Sequence, residues 1–402
     1  MNVLQLNTYY PNGSTGRIAA EIAAYAVKQP DIRMLAAFGI GAETQKEGVT
    51  AVRIGNPLER KFHGVIRKLF DAEGYASLFA TVKLIRMCKK EHVDVIHMHN
   101  LHGCYINLRR WFRYLRASDI PVVWTLHDCW TMTGHCAYFS YVDCEKWKTL
   151  CGKCPEKRSY PVCIGIDGSK RNYRLKKKLF TKLDKLTIVT PCRWLEDIVK
   201  ASYLHGAQTR VIYNGVDTRR FRPLASELRK QYGLEDKRLL LSVASDWDRR
   251  KGLDSLVELA QILDETYKIV IIGLTRGQID TLPRNLLGLE RTASQEELAA
   301  WYSAADCLVN PTLDDTMPLV NLEALACGTP IAVYNTGGCP EAVNDDCGAV
   351  VEKGDAEGLA EAVKRICESE TDYTNACVEQ AKRFEKQKMV QAYAELYREV
   401  LK

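Results

Sequence analysis

The stretch Asn310–Val333, NPTLDDTMPLVNLEALACGTPIAV, sets two carboxylates eight residues apart across a strand-to-helix turn. A strand Asp306–Asn310 ends, a loop carries Asp315, and a helix begins near Pro318 and stops at Gly328. Proline and glycine favour those two helix ends. Leu319, Leu322, Glu323 and Ala326 then share one helix face, which puts the Glu323 carboxylate on an apolar stripe. Burying even a neutral polar group without a partner costs on the order of 2–7 kcal/mol. A ligand diol such as a ribose would give Glu323 two donors, and the free N–H groups of the helix N-terminus would hold a phosphate. The plainer alternative is that Asp315 caps the helix and Glu323 pairs with a nearby Lys or Arg.

A second group is Ser245–Gly252, SDWDRRKG, ahead of the amphipathic segment LDSLVELAQIL. Arg249, Arg250 and Lys251 crowd a helix N-terminus, where cations oppose the dipole and one another by roughly 0.3–1 kcal/mol each. A diphosphate would complete the arrangement, with arginine binding it bidentately and lysine as a point charge. A solvated charge run is the alternative. The turn Asn12–Arg17, NGSTGR, offers Gly13 and Gly16 for close backbone approach to a ligand, or is a plain turn with Ser14 or Thr15 as helix cap. His127-Asp128 ends the strand PVVWTLHD, and His97, His99 and His102 lie at the end of the preceding strand. A titratable pair at a strand's carboxyl end faces the crevice where open α/β sheets bind ligands. Packing or site-lining roles suit these histidines better than a metal, because no cysteine or carboxylate sits at a matching offset.

Six of the fifteen cysteines fall within 129–163. Cys136, Cys144, Cys151 and Cys154 form C-x7-C-x6-C-x2-C, and the knuckle Cys151–Cys154 ends at Pro155. Four thiolates suit tetrahedral Zn²⁺ with bonds of ~2.3 Å, and His135, Cys129 and Cys163 are reserve ligands. Such a closed site would staple the segment and do no chemistry. Scattered free thiols are the alternative.

These groups need strands to carry them. Short apolar runs at Val3–Asn7, Arg33–Phe38, Val93–Met98, Pro121–His127 and Leu186–Thr190 form one series. Leu239–Ala244, Lys268–Gly273, Asp306–Asn310, Pro330–Tyr334 and Ala349–Val351 form another, and helical periodicity lies between the runs. Strands buried on both faces and alternating with helices predict parallel sheets, and two series predict an α/β chain of two doubly wound domains. The expected division is 1–206, with the cysteine-rich insertion 129–163, then 207–385, then a C-terminal helix 386–402 that packs back on the first domain. A chain of 402 residues with 46% apolar and 26% charged residues excludes a disordered or fibrous protein. The sequence has no run of ~18 apolar residues, and the start MNVLQLNTYYPNG does not read as a signal peptide. A cytoplasmic protein with reduced thiols is expected.

Together these residues resemble the family-4 glycosyltransferases with the GT-B fold, in which two Rossmann-like domains face each other across a cleft. The linker VIYNGVDTRRF is similar to that family's I-x-N-G-V-D-x-x-x-F, Lys251-Gly252 to its K-G phosphate site, and Asp315–Glu323 to its E-x7-E motif. The insertion after HDCW resembles a branch found in capsule, exopolysaccharide and colanic-acid biosynthesis. The resemblance implies a retaining enzyme that moves a sugar from a nucleotide-diphosphate sugar to a glycan or polyprenyl-diphosphate-linked acceptor, without a catalytic metal. It implies that Glu323 binds the ribose and that Arg250 and Lys251 hold the diphosphate. Asp315 would meet a hydroxyl of the transferred sugar, near backbone N–H groups around Met317 and Leu319. His127 would contact the donor, and the Gly13–Gly16 loop would lie near donor phosphate and acceptor. Two positions depart from the pattern: Asp315 replaces the first glutamate, and Asp246 stands where the family has an arginine.

Residues 1–205 carry 32 Lys+Arg against 18 Asp+Glu, while 206–402 carry 24 against 32. A basic first half predicts an anionic partner there. Arg109, Arg110, Arg113 and Arg116 lie in one helical segment. Lys170, Arg171, Arg174, Lys176, Lys177, Lys178 and Lys182 interleave with Tyr173, Leu175, Leu179 and Phe180 in another, which reads as a helix lying on the inner face of an anionic membrane. Three rival readings remain: a nucleic-acid-binding zinc protein, which leaves Glu323 and the Arg249–Lys251 cluster unexplained, a sugar-nucleotide epimerase, and an inactive nucleotide-sugar-binding homologue. The transferase reading has no nucleic-acid partner.

Overall fold

The apolar runs assemble into two separate sheets. The computed structural model of the chain describes residues 1–41, 43–46 and 48–402. It divides into one unit of Met1–Tyr213 with Met389–Lys402 and a second of Asn214–Lys388.

The first unit is built on β1 (Asn2–Tyr10), β2 (Arg33–Gly41), β3 (Thr44–Lys46), β4 (Val49–Arg53), β5 (Val95–Met98), β6 (Val122–Thr125), β7 (Leu186–Thr190) and β8 (Gln208–Val211). Their order is β3-β4-β2-β1-β5-β6-β7-β8, antiparallel at β3–β4 and parallel elsewhere. Every residue of β5, β6 and β7 is buried, as strands covered by helices on both faces must be. The division between units falls seven residues beyond the expected 206/207. Gln208–Val211, which reads as part of a polar linker, pairs with β7 as an exposed edge strand.

The C-terminal helix Lys386–Glu399 belongs mainly to this first unit. Its Met389, Val390, Tyr393, Ala394, Leu396 and Tyr397 share one core with Val3, Ile22 and Phe38. The Tyr397 hydroxyl meets His97 Nδ1 at 2.7 Å, and the Tyr393 hydroxyl meets Thr125 Oγ1 at 2.9 Å.

The second unit holds β9 (Arg238–Val243), β10 (Tyr267–Ile272), β11 (Leu286–Leu289), β12 (Cys307–Asn310), β13 (Ile331–Tyr334) and β14 (Gly348–Val351). All pair in parallel in the order β11-β10-β9-β12-β13-β14. Connections run one way from β9 to β11 and the other from β12 to β14. The loops after β9 and β12 therefore diverge and leave a crevice at the carboxyl edge. In the first sheet the same reversal lies between β1 and β5. The linker is tied down inside the second unit: Val216 N–H donates to Phe384 O (2.8 Å), Lys386 N–H to Val216 O (2.9 Å), and Lys386 pairs with Asp217 at 2.5 Å.

Candidate active site

The reversal between β9 and β12 collects the cations and one of the two acids. After β9, the Asp248 side chain caps the single turn Arg249–Lys251, accepting from Lys251 N–H at 3.1 Å. Gly252 follows at φ 78°, and a Cβ there would lie 2.0 Å from Pro311 O. Glycine at this point lets the turn press against the loop that leaves β12. Leu313 N–H donates to Arg250 O at 2.7 Å and locks the two loops together. The Arg250 guanidinium reaches over to Asp314 O at 2.7 Å, and Lys251 Nζ to Asp315 Oδ2 at 2.5 Å, with Arg250 Nη1 3.8 Å from the same oxygen. Arg249 is exposed, so Arg250 is the arginine turned inward. Burial works against ionisation of Asp315, but Lys251 and then Arg250 outweigh it and hold the carboxyl below its usual range. A loop absent from the sequence reading braces Asp315 from behind. Gly337 (φ 56°) passes so close that a Cβ would sit 1.7 Å from Asp315 O, and Gly338 N–H donates to that oxygen at 3.1 Å.

Pro318 precedes the helix Leu319–Ala326, which no side chain caps. Met317 is buried, and its carbonyl accepts from the linker residue Asn214 at 3.2 Å. Glu323 is buried on this helix. Its Oε2 accepts from the Tyr302 hydroxyl at 2.9 Å, a partner supplied by the helix Gln295–Ala304. Nothing in the local pattern around Glu323 points to Tyr302, which is 21 residues away.

In the first unit Gly13 (φ 75°) takes the N-cap position of the helix Ser14–Ala26, with no side-chain cap from Ser14 or Thr15. Gly16 packs the helix onto the end of β1, where a Cβ would meet Tyr9 O at 3.1 Å. The neighbours His127 and Asp128 turn to different partners. His127 Nε2 shares a hydrogen bond with His99 Nδ1 at 3.0 Å, while Asp128 Oδ2 meets His102 Nε2 at 2.9 Å. Burial drives the His127 pKa down to about 4, and it lowers that of His99 as well, so the pair is neutral. His127 therefore offers a neutral imidazole.

Among the described residues one group of three metal-ligating side chains has its ligand atoms within 4.8 Å of one another: His63, Glu73 and Cys104. Both His63 nitrogens are in use, Nδ1 with Ser77 Oγ (2.8 Å) and Nε2 accepting from Gly74 N–H (3.1 Å). Glu73 accepts from the N–H groups of Gly103 and Cys104. This network pins turns and leaves no imidazole lone pair for a metal. Cys136, Cys144, Cys151 and Cys154 border one cavity without reaching that mutual spacing.

The helix Ser169–Phe180 does not present the membrane face expected of it. Leu175, Leu179, Phe180 and Tyr173 are buried, and Phe180 packs against Phe112 and Trp124. Lys176, read as a surface cation, is 2% exposed, donates to Trp130 O (2.6 Å) and Thr133 O (3.2 Å), and lies over the Trp130 ring. Its place in a run of three lysines hides that its helix position faces inward. Burial brings its pKa down to about 7. The exposed apolar face lies elsewhere, on the helix Pro57–Phe70, where Leu58, Phe62, Val65, Leu69 and Phe70 face solvent. No helix among the described residues is long and apolar enough to cross a membrane.

Comparison with known proteins matches the model of Glycosyltransferase Family 4 over residues 16–220, more than half of the chain, and that of Glycosyl transferases group 1 over residues 225–384. A colanic acid biosynthesis glycosyl transferase, WcaC of Escherichia coli K12, is 25% identical, with 99% of each chain covered. Among solved structures, sucrose-phosphate synthase from Thermosynechococcus elongatus superimposes with a TM-score of 0.74 at 18% identity, covering 99% of each chain. Anabaena HepE in complex with UDP-glucose superimposes with a TM-score of 0.67 at 17% identity, covering 98% of this chain and 99% of the other. The chain therefore belongs to glycosyltransferase family 4, and its two α/β units are those of the GT-B fold.

Proposed function

We propose that this glycosyltransferase moves a sugar, with retention of anomeric configuration, from a nucleotide-diphosphate sugar to a glycan or polyprenyl-diphosphate-linked acceptor in surface polysaccharide biosynthesis. The observation that carries this reading is the Arg250–Lys251–Asp315 cluster at the carboxyl edge of β9 and β12. Breaking a sugar–diphosphate bond builds negative charge on the leaving oxygen. Cations fixed in place beforehand stabilise that charge more in the transition state than in the ground state. Here Lys251 and Arg250 take the diphosphate, and the uncapped helix N-terminus near Met317 and Leu319 adds N–H donors. Asp315 meets a hydroxyl of the transferred sugar while orienting Lys251, and Glu323 takes the ribose. His127, neutral and braced by His99, serves as a hydrogen-bonding group towards the donor, and Gly13–Gly16 leaves room for phosphate. The colanic-acid assignment of WcaC and the UDP-glucose bound to HepE support the substrate classes. A thermal-shift and turnover panel of UDP-, GDP-, ADP-, TDP- and CMP-sugars tests the reading. One nucleotide should stabilise the protein by RT ln(1 + [L]/Kd) and be released on transfer. Stabilisation with no turnover on any acceptor would favour an inactive binding homologue.

The acceptor side of the proposal calls for a membrane-facing surface, and the helix Pro57–Phe70 supplies it. Asn56 caps it, and Leu58, Phe62, Val65 and Leu69 recur on one face, flanked by the exposed Lys61 and Lys68. Glu59 accepts from Phe79 N–H at one end, and Ile164 and Ile166 bond to Lys68 O and Leu69 O at the other, which extends the exposed apolar strip. Apolar side chains rimmed by cations fit an anionic bilayer, where each cation contributes ~1 kcal/mol. Vesicle co-sedimentation at low salt should be lost in a Phe62→Ser/Leu69→Ser variant and kept in Lys177→Glu/Lys178→Glu. Hydrolysis of donor in solution should stay nearly unchanged in both. Equal sedimentation of the apolar variant and the parent would overturn this surface.

A further inference from the structure

None of the residues assigned above to sugar transfer lies in the cysteine-rich insertion 129–163. Cys136, Cys144, Cys151 and Cys154, from a segment of 19 residues, border one cavity together with His135 and Trp147. Its free volume is about 10 Å³, close to the ~10–15 Å³ that a single water-sized occupant needs. Three further observations give this space a chemical sense. His135 is 2% exposed and its Nδ1 is 2.6 Å from the buried Asp71 carboxylate, while its Nε2 is buried without a hydrogen-bond partner. The Asp71 carboxylate fixes the His135 ring beside the cysteines. Gly134 N–H donates to Cys151 Sγ at 3.2 Å, an interaction that favours a sulfur carrying negative charge. The Lys176 ammonium lies in the same buried layer, donating to Trp130 O and Thr133 O just ahead of these cysteines.

We propose that this cavity is a structural Zn²⁺ site with the thiolates of Cys136, Cys144, Cys151 and Cys154 as its four ligands. His135 and Lys176 lie beside the thiolates, outside the ligand set. Tetrahedral bonds of ~2.3 Å put the sulfurs about 3.8 Å apart. In the neutral state only a hydrogen bond between Cys136 and Cys154 draws two of the thiols together, and Cys144, Cys151 and Cys154 sit on half-exposed loops that can close the remaining gap. The site is structural because four protein ligands leave no open position for a substrate. Its binding energy becomes folding energy of the insertion. Directly after the insertion, Ile164 and Ile166 bond to the end of the helix Pro57–Phe70, and Asp71, the residue that ends that helix, backs His135.

Elemental analysis of the purified full chain should find one zinc per molecule. Replacement by Co²⁺ should give the intense visible bands and thiolate-to-metal charge transfer of a tetrahedral four-sulfur site. Cys151→Ser and Cys136→Ser should each lose the metal, while Cys163→Ser, outside the cavity, should keep it. His135→Gln should retain one zinc but release it faster to a chelator. Should the cysteine variants fail to fold, chelation of the wild-type chain still decides the matter by lowering Tm and giving metal-free protein that cobalt restores. Metal-free wild type of unchanged Tm with no cobalt spectrum, or a disulfide between these cysteines in freshly purified protein, would overturn the site. Loss of zinc in His135→Gln together with its retention in Cys151→Ser or Cys136→Ser would overturn the four-thiolate ligand set.

Discussion

Lys251→Ala is expected to lower kcat/KM for the cognate nucleotide sugar by two orders of magnitude or more, with the loss falling mainly on kcat. Removing one preorganised group that meets developing negative charge typically costs about 10²–10³ in rate, or ~2.7–4 kcal/mol. The geometry gives Lys251 that role in an unusual state. Before donor binds, its ammonium rests 2.5 Å from Asp315, with Arg250 3.8 Å from the same oxygen. An incoming diphosphate takes over a cation already held in place and partly stripped of water, so little reorganisation remains for the chemical step. Arg250→Ala should be nearly as costly. Its guanidinium also holds Asp314 O, so loss of this arginine loosens the loop that carries Asp315. Arg249→Ala should change turnover less than threefold, because that side chain is exposed. The same ion pair leaves a mark on stability. Asp315 is held below the ordinary carboxyl value of 3.8. A depressed folded-state pKa contributes stability above the unfolded value and loses it as pH falls through the folded one. Lys251→Ala should therefore flatten the acid limb of the stability profile below about pH 4. A variant that keeps a third or more of wild-type turnover would show that Lys251 only neutralises Asp315.

Much of this architecture is visible in the sequence, and the reason is locality. A strand buried on both faces is an apolar run wherever it occurs, so β1, β2, β5, β6, β7, β9, β10, β12 and β13 announce themselves, and the edge strand β14 is legible through its apolar composition alone. β8 does not, because an edge strand with exposed Gln208 and Arg210 has the composition of a linker. β11, LLGL, does not stand out because Gly288 interrupts its apolar run and only Leu286 of this edge strand is buried. Site residues divide along the same line. The Lys251-Gly252 turn and the Asp315 loop each carry a local signal, whereas the 64-residue separation between Lys251 and Asp315 hides that they pair. Gly337 resembles any loop glycine until the Asp315 carbonyl is found 1.7 Å from where its Cβ would be. Lys176 is the reverse case, a local signal that misleads. Charge pattern marks the helix Ser169–Phe180 as basic, but only packing tells which of its cations faces Trp130. The helix Pro57–Phe70 goes unread, because its apolar residues look like core until the structure leaves them uncovered.

Glu323→Gln should weaken nucleotide binding by about 10- to 150-fold while leaving the fold intact. Hydrogen bonds to a charged group contribute ~1.5–3 kcal/mol, and each 1.4 kcal/mol is a factor of ten in affinity. Glutamine has nearly the same shape and opens no cavity. Its amide oxygen can still accept from the Tyr302 hydroxyl, so the helix pair Gln295–Ala304 and Leu319–Ala326 keeps its contact. What disappears is the negative charge that two ribose hydroxyls would share. Calorimetry with the cognate nucleoside diphosphate and its 2′,3′-dideoxy analogue separates this role from a merely structural one. Wild-type protein should strongly prefer the ribose form, and Glu323→Gln should bind the two forms almost equally. Tyr302→Phe serves as the positioning control. It removes one bond that orients the carboxylate but keeps the charge, so it should lower affinity by less than tenfold and preserve the preference for ribose. If Glu323→Gln retains both wild-type affinity and that preference, the carboxylate is in place to receive the Tyr302 hydroxyl alone, and the ribose must be sought on another element of the second unit.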